Sequence, residues 1–214
     1  MTCPLCHEQS IHFYHQDNQR NYWQCGRCEL VFVKPQEWLS FEQEKAIYDL
    51  HQNDADDLGY RRFLNKLVEP LAQRLAPDAE GLDFGCGPGP TLSTMFAELG
   101  FIVEDYDPLY FDKPELLQQQ YDFICATEVI EHLHDPHNQL NLLLKMLKPK
   151  GKLGIMTKRV IDQQAFARWH YKNDMTHIAF YSKTTFEYIC KHLYKDAELK
   201  LEIINSDTLI LSKK

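Results

Sequence analysis

No run of apolar residues in this chain approaches the roughly 18 that a membrane-spanning helix needs, which excludes a helical membrane protein. No positively charged and then apolar segment opens it either. The chain begins Met1-Thr2-Cys3-Pro4, and the expected compartment is therefore the cytosol. Basic residues are in deficit: 23 Lys and Arg stand against 31 Asp and Glu, for a formal net charge of −8. Nothing supplies the extended positive field that duplex nucleic acid requires, although a local basic patch stays open. There is no internal repeat and no low-complexity tract.

What is present is ordinary for a soluble globular chain of about one to one and a half domains. The 214 residues are 44% hydrophobic and 25% charged, and such a length can bury a full core. Seven cysteines in a reducing compartment are reduced, so paired ones read as metal ligands rather than disulfides.

Three parts can be distinguished. Residues 1–35 are aromatic and cysteine-bounded. Residues 36–78 form a helical lead-in, with Ile47, Leu50, Phe63, Leu64, Leu67, Leu71 and Leu75 at helical spacing around a polar break from Asn53 to Gly59. In residues 79–214 strand and helix signals alternate, which predicts an α/β layer fold. Strands are expected at 81–84, from 101 to about 107, at 121–127 and at 153–157. Helices are expected at 90–99, 136–147 (stopped by Pro149-Lys150-Gly151) and 183–193. Residues 199–205 and 208–211 read as a closing antiparallel pair.

Cys3-Pro4-Leu5-Cys6 and Cys25-Gly26-Arg27-Cys28 are two CxxC turns with 18 residues between them. Each turn grips one edge of a metal, and two complete the tetrahedron zinc prefers. The segment resembles a zinc ribbon, with Phe13-Tyr14 and Tyr22-Trp23 suited to a small β hairpin. His7 stands where such knuckles often carry Gly and is a spare ligand candidate. Four thiolates leave no open position, so Cys3, Cys6, Cys25 and Cys28 imply a structural zinc. Roughly 35 residues cannot build a sizeable core, and metal binding must supply much of the folding energy.

Leu82-Asp83-Phe84-Gly85-Cys86-Gly87-Pro88-Gly89 joins a strand to a helix through glycines, which let backbone approach a ligand closely. A dinucleotide fingerprint wants Gly or Ala at the sixth position, where this chain has Pro90; this and the closing strand pair disfavour a nicotinamide oxidoreductase. The segment instead resembles the first motif of class I S-adenosylmethionine-dependent methyltransferases. Asp107, in Tyr106-Asp107-Pro108, lies about 20 residues on, where a carboxylate accepts hydrogen bonds from ribose hydroxyls. Alone it reads better as a turn aspartate before proline, and the preceding glycine loop reverses that. Residues 121–129 and 147–153 look like the family's fourth strand and the turn before its fifth. The resemblance spans about 79–212. It implies a Rossmann-like class I sheet and cofactor contacts from Asp83, Phe84, Gly85, Gly87, Gly89, Asp107, Thr127 and Glu128. Cys86 reads as a packing residue.

One departure stands out. Only 13 residues separate Asp107 from Tyr121, where the family fits a helix, a strand and a second helix. The edge strand that helps frame the adenine is expected to be missing. Tyr110, Phe111, the lead-in helices or the ribbon are candidates to cover that side, and Tyr48, His51 and Tyr60 to close over the cofactor.

On a helix, Glu128, Glu131 and His132 of the Glu128-Val129-Ile130-Glu131-His132 run would share one face. With a distant His177 they make a plausible Mg or Mn site. This pattern is similar to that of metal-assisted O-methyltransferases, in the ubiquinone-pathway catechol enzymes and the small-RNA 2′-O-methyltransferases. By that resemblance Glu128, Glu131, His132 and His177 would be catalytic ligands. The alternative is structural: Glu128 favours a helix N-terminus by its charge, and His132 donates to a backbone carbonyl. Lys158, Arg159, Trp169, His170, Tyr171, His177, Phe180 and Tyr181 offer an acceptor pocket, about half of them as core. The resulting expectation is O-methylation of a small molecule. A ribbon recruiting a protein or RNA onto a degenerate methyltransferase platform is the competing reading.

Overall fold

The computed structural model of the chain describes residues 1–50 and 53–214; His51 lies outside them. In chain order the elements are β1 (Ile11–Gln16), β2 (Asn21–Cys25), β3 (Val31–Phe32), α1 (Phe41–Tyr48), α2 (Leu58–Ala72), β4 (Glu80–Phe84), α3 (Thr91–Glu98) and β5 (Ile102–Tyr106). They continue with β6 (Tyr121–Thr127), α4 (Pro136–Met146), β7 (Leu147–Met156), α5 (Gln163–Ala167), β8 (Ala179–Phe180), α6 (Lys183–Tyr188), β9 (Lys200–Ile203) and β10 (Thr208–Ser212). No helix among the described residues is long and apolar enough to cross a membrane.

The central sheet has six strands in the order β5-β4-β6-β7-β10-β9. The first four run parallel and the last two close it antiparallel. This is the Rossmann-like layer fold expected, with β5 as its edge. Between Asp107 and Tyr121 the chain makes only a 3-10 turn at Pro114–Gln118, so the expected edge strand is indeed absent there. The period of two along β4 and β6 sorts the core. Leu82, Ile124 and Ala126 join Leu153, Leu209 and α4's Leu140 and Leu143 on one face. Phe123 and Cys125 meet α2 and α3 on the other.

Local chemistry sets the helix ends. Ser40 and Gln43 form a capping box on α1, and Asp57 accepts from the backbone of Gly59 and Tyr60 to start α2. Leu64, Leu67, Val68 and Leu71 then present one buried stripe to the sheet. The expected break at Pro149-Lys150-Gly151 takes another form. β7 starts directly after α4, and pairing jumps from Tyr121 opposite Leu147 to Phe123 opposite Lys152. The intervening residues bulge out, with Lys150 at φ +65°.

The cysteine-bounded segment folds as the expected β1–β2 hairpin, to which β3 adds. Its sheet is completed by β8 from far along the chain, in the order β1-β2-β3-β8. Tyr14, Tyr22, Val31 and Val33 share an apolar cluster with Phe166, Tyr171, Ile178 and Phe180. Leu5 and Leu30 pack into the central core with Tyr181 and Phe186. Phe180 and Tyr181 of the aromatic loop are therefore core.

A Cβ on Gly81 would lie 2.3 Å from the fully buried ring of Phe123, so β4 lies tight against its neighbour there. Gly81→Ala should cost about 1–3 kcal/mol in denaturant unfolding through overpacking. Phe123→Leu should return part of that loss in the double variant, and strict additivity of the two changes would refute the contact.

Candidate functional site

β4 runs out at Phe84, and the next residues need left-handed backbone: Gly85 has φ +78° and Gly87 φ +66°. Gly85 and Cys86 donate their N–H groups to the Tyr106 carbonyl at 2.8 and 3.3 Å, tying the loop to the end of β5. A Cβ on Gly85 would lie 2.6 Å from Val129, and one on Gly89 would lie 2.0 Å from the Asn53 carbonyl. The loop is thus a cradle that side chains would fill, with the segment before α2 lying across it. Asp107 follows β5, largely buried, and accepts from Gly87 N at 3.1 Å, Leu109 N at 2.8 Å and Tyr110 N at 3.3 Å. Asp83 lies beneath the loop. Burial first, then the charges of Asp105 and Asp107, push its carboxyl well above the usual carboxylate range. With Tyr60, Leu64, Gly85, Cys86, Thr91, Leu92 and Thr127 it lines a cavity of about 20 Å³, room for one water. Phe84 is buried and stacks on Tyr106, a packing position under the loop rather than in it.

Next to the loop the backbone departs from the sequence reading. Glu128 to His132 is not an α-helix. β6 ends at Thr127, Glu128 takes φ +53°, and Ile130–His132 make one 3-10 turn. The reason lies in the neighbouring strand. Glu128 donates its N–H to the Met156 carbonyl at 2.8 Å, across to the end of β7, which leaves no room for a helical first turn. The side chains still converge. Ligand atoms of Glu131, His132 and His177 lie within 4.8 Å of one another. Glu128 stands outside that trio but is joined to it by Tyr171, whose hydroxyl donates to Glu128 Oε2 at 3.0 Å and also contacts Glu131 Oε1. One hydroxyl proton serves two carboxylates. Glu128 Oε1 and Glu131 Oε2 are buried with no hydrogen-bond partner. Burial pushes both carboxyls up, and the charge of Glu128 raises Glu131 further.

Backbone carbonyls set the tautomers of both histidines. His132 Nδ1 lies 3.1 Å from the Thr176 carbonyl and His177 Nδ1 lies 2.7 Å from that of Tyr171. A carbonyl only accepts, so Nδ1 carries the proton and Nε2 the lone pair. Metal-binding histidines are oriented in this way. The two readings of His132, ligand or carbonyl donor, are therefore compatible. His177 is largely buried, which lowers its pKa and favours neutral imidazole.

The four cysteines come together as two matching knuckles. Cys3 and Cys28 sulfurs are 3.6 Å apart, and those of Cys6 and Cys25 3.5 Å. All four fall within 4.8 Å of one another. Cys3 N bonds Glu8 O at 2.9 Å where Cys25 N bonds Leu30 O at 3.0 Å. The residues after each pair, His7 and Glu29, both have φ +58°. His7 fills the position where knuckles carry Gly, and its ring lies tilted against His137, centroids 4.5 Å apart.

Residues 57–193 match a family model described as a methyltransferase domain. The chain belongs to this methyltransferase family. Among curated proteins, the ubiquinone biosynthesis O-methyltransferase of Pseudomonas savastanoi pv. phaseolicola is 31% identical over 91 residues, 42% of this chain and 39% of that protein. The chain thus spans about two fifths of that relative's length. Of the solved structures, the Burkholderia thailandensis 1,6-didemethyltoxoflavin-N1-methyltransferase, crystallised with 1,6-didemethyltoxoflavin and S-adenosylhomocysteine, is similar with TM-score 0.55 and 15% identity. That comparison covers 95% of this chain and 98% of that one. Magnesium protoporphyrin IX methyltransferase from Synechocystis PCC 6803, with bound S-adenosylhomocysteine, is similar with TM-score 0.51 and 14% identity, covering 81% and 94%.

In this methyltransferase domain, sequence reasoning placed Tyr171 only in a general aromatic pocket. No spacing links it to Glu128 or Glu131; the chain brings it back between them 40 residues after Glu131, beyond α4, β7 and α5. The bonds of Thr157 to Tyr171 (3.3 Å) and of Tyr48 to His132 (3.3 Å) were equally invisible. Lys158 of the expected pocket bonds His170 at 3.1 Å.

The raised carboxyls give a pH signature. In the unfolded chain these groups ionise near 4.5, while in the folded state they hold their protons to higher pH. Folding then binds protons, and stability must fall as pH rises above 4.5. Without added divalent ion, the Tm of the wild type should decline from pH 5 toward pH 8 (on the order of several degrees). Glu131→Gln should flatten that decline; an identical pH profile in the variant would show that Glu131 ionises normally.

Proposed function

We propose that this chain is an S-adenosylmethionine-dependent methyltransferase that methylates a hydroxyl of a small molecule, assisted by a divalent ion. The observation that carries the reading is the Glu131, His132 and His177 cluster set beside the glycine cradle, with Val129 packed on Gly85 between them. Gly85, Gly87 and Gly89 would admit the methionine portion of the cofactor. Asp107 would turn its acceptor oxygens to the ribose, and Asp83, Thr127 and Glu128 would complete the contacts. Bound there, the cofactor supplies a methyl group on a sulfonium. The donor set also suits a hard divalent ion such as Mg or Mn: two carboxylates with an orphaned oxygen each, and two imidazoles held as Nδ1–H tautomers. Such an ion lowers the pKa of an acceptor hydroxyl and orients its oxygen. The chain's own part is positional. Glu131 and His177 are buried, so water is excluded around the acceptor. The Thr176 and Tyr171 carbonyls hold both rings in one orientation, and Tyr171 keeps the two carboxylates in register.

The relatives support the small-molecule reading by resemblance: one is named an O-methyltransferase, and another was crystallised with a small acceptor. Tyr110 donates to Asp49, the C-cap of α1, at 2.7 Å, which brings the lead-in helix to the side where the missing strand would stand. Tyr110 and α1 are accordingly the proposed cover of the adenine. The four cysteines are proposed to hold one structural zinc, which fits a reducing compartment such as the cytoplasm.

Calorimetry with S-adenosylhomocysteine tests the core of this reading. The wild type should bind at micromolar levels, and Asp107→Ala should bind about tenfold or more weakly through loss of charged hydrogen bonds. No binding by the wild type would favour the degenerate-platform alternative. Added Mn²⁺ should raise the Tm of the wild type and leave that of Glu131→Ala or His177→Ala unmoved. Separately, metal analysis should find one zinc per chain. Cys28→Ser should lose it together with about 3 kcal/mol or more of stability; a zinc-free wild type of equal stability would refute the structural ion.

A further inference from the structure

The hairpin of the cysteine-bounded segment reaches the candidate ion centre through one buried side chain. Arg20 sits between β1 and β2 and is 2% exposed. Its Nη1 donates to the Met175 carbonyl at 2.9 Å. Its Nη2 donates to the carbonyls of Lys172 and Asp174, each at 2.8 Å, and its Nε reaches the Tyr22 hydroxyl at 3.1 Å. Lys172 in turn pairs with Asp17 at 3.1 Å, and Tyr22 donates to the same Asp17 oxygen at 2.8 Å.

Three carbonyls from a stretch of four residues thus close on one guanidinium. Backbone carbonyls that converge in this way repel one another unless a cation sits among them. Arginine's planar fork satisfies them in one fixed geometry and still reaches the Tyr22 hydroxyl, which the three donors of a lysine ammonium would reproduce only in part. The stretch is flanked by the two residues the ion centre depends on. Tyr171 precedes it and binds Glu128 and Glu131; His177 follows it and donates to the Tyr171 carbonyl. A second tie runs alongside. Val33 N donates to the Ile178 carbonyl at 2.9 Å, and Ile178 N donates to the Glu131 carbonyl at 2.9 Å. Two ties from the cysteine-bounded segment, the Arg20 fork and the Val33–Ile178 pair, therefore lead to the Tyr171–His177 stretch and to Glu131.

We propose that Arg20 is a positioning residue for the ion centre. Its guanidinium gathers the Lys172–Met175 carbonyls so that Tyr171 and His177 stay registered on Glu131. The cysteine ribbon is then a buttress of the active site rather than a separate recruiting module. The inference rests on the ion-centre reading above for its metal-binding consequence, but its geometric content stands apart from any metal.

The test uses the full chain as Arg20→Ala and Arg20→Lys. Far-ultraviolet circular dichroism and zinc content report whether each variant folds. The ¹⁵N–¹H spectrum of the histidine rings, without added divalent ion, should show His177 of the wild type as the single Nδ1–H tautomer. Arg20→Ala should show a tautomer mixture, with Arg20→Lys between the two. Mn²⁺ affinity, read from the electron paramagnetic resonance of free Mn²⁺, should weaken by about 10–100-fold in Arg20→Ala, the usual cost of removing an outer support of a metal site. S-adenosylhomocysteine affinity should fall less than Mn²⁺ affinity does, since Glu128 is the one proposed cofactor contact that Tyr171 reaches. An unchanged His177 signature in a folded variant overturns the proposal. If the wild type binds no Mn²⁺, the ion reading falls and the His177 spectrum alone decides for or against Arg20. If Arg20→Ala does not fold, the same readouts on Arg20→Lys carry the decision.

Discussion

A carboxylate taken wholly out of water must be neutralised, paired or bound to a cation, because its solvation cannot otherwise be replaced. Glu131 is such a group, and much of the molecule is arranged around it. Its side chain meets the Tyr171 hydroxyl, and one of its oxygens has no protein partner. Its backbone carbonyl receives Ile178, which is itself bonded to Val33 of the cysteine-bounded segment. The same residue therefore keeps its proton to higher pH than a free carboxyl and is also a mechanical junction. A protein with a purely structural use for this position would do better with an apolar side chain of similar size.

The truncated sheet has a consequence for the N-terminal elements. With β5 as the edge, the ground beyond Asp107 is held by a short turn, and Tyr110 reaches out to the cap of α1. The lead-in before α2 also lies on Gly89. Elements ahead of the sheet thus do work that a longer fold would assign to strands within it. The cysteine-bounded segment is tied in the same way: β3 pairs with β8, and its apolar residues sit in clusters shared with the C-terminal half. A small segment without a core of its own gains one by joining another.

Most of the architecture was legible because it rests on local signals. Alternation in 81–84 and 121–127, the glycine turn after Phe84, and the CxxC pairs act within a few residues, and each stands where expected. The failures were tertiary in cause. Glu128 to His132 has a helical spacing, yet the bond from Glu128 to Met156 comes from another strand and overrides it. The stop at Pro149-Lys150-Gly151 became a bulge, because pairing with β6 resumes beyond it. Phe84 carries a motif position but spends its side chain on Tyr106.

The sequence by itself determined the family, the sheet and its missing strand, the cysteine cluster, and which acids and histidines were worth watching. Each of these depends on residue type and short spacing, which the chain cannot hide. Only the tertiary structure decided that Tyr171 stands between Glu128 and Glu131, that two carbonyls set the tautomers of His132 and His177, and that Arg20 braces the loop between them. The Tyr171 and Arg20 contacts join residues 40 to 155 positions apart. Nothing in local propensity encodes such a meeting; it follows from burying both sheets against one core, where each polar group must find its partner in whatever segment packing brings alongside.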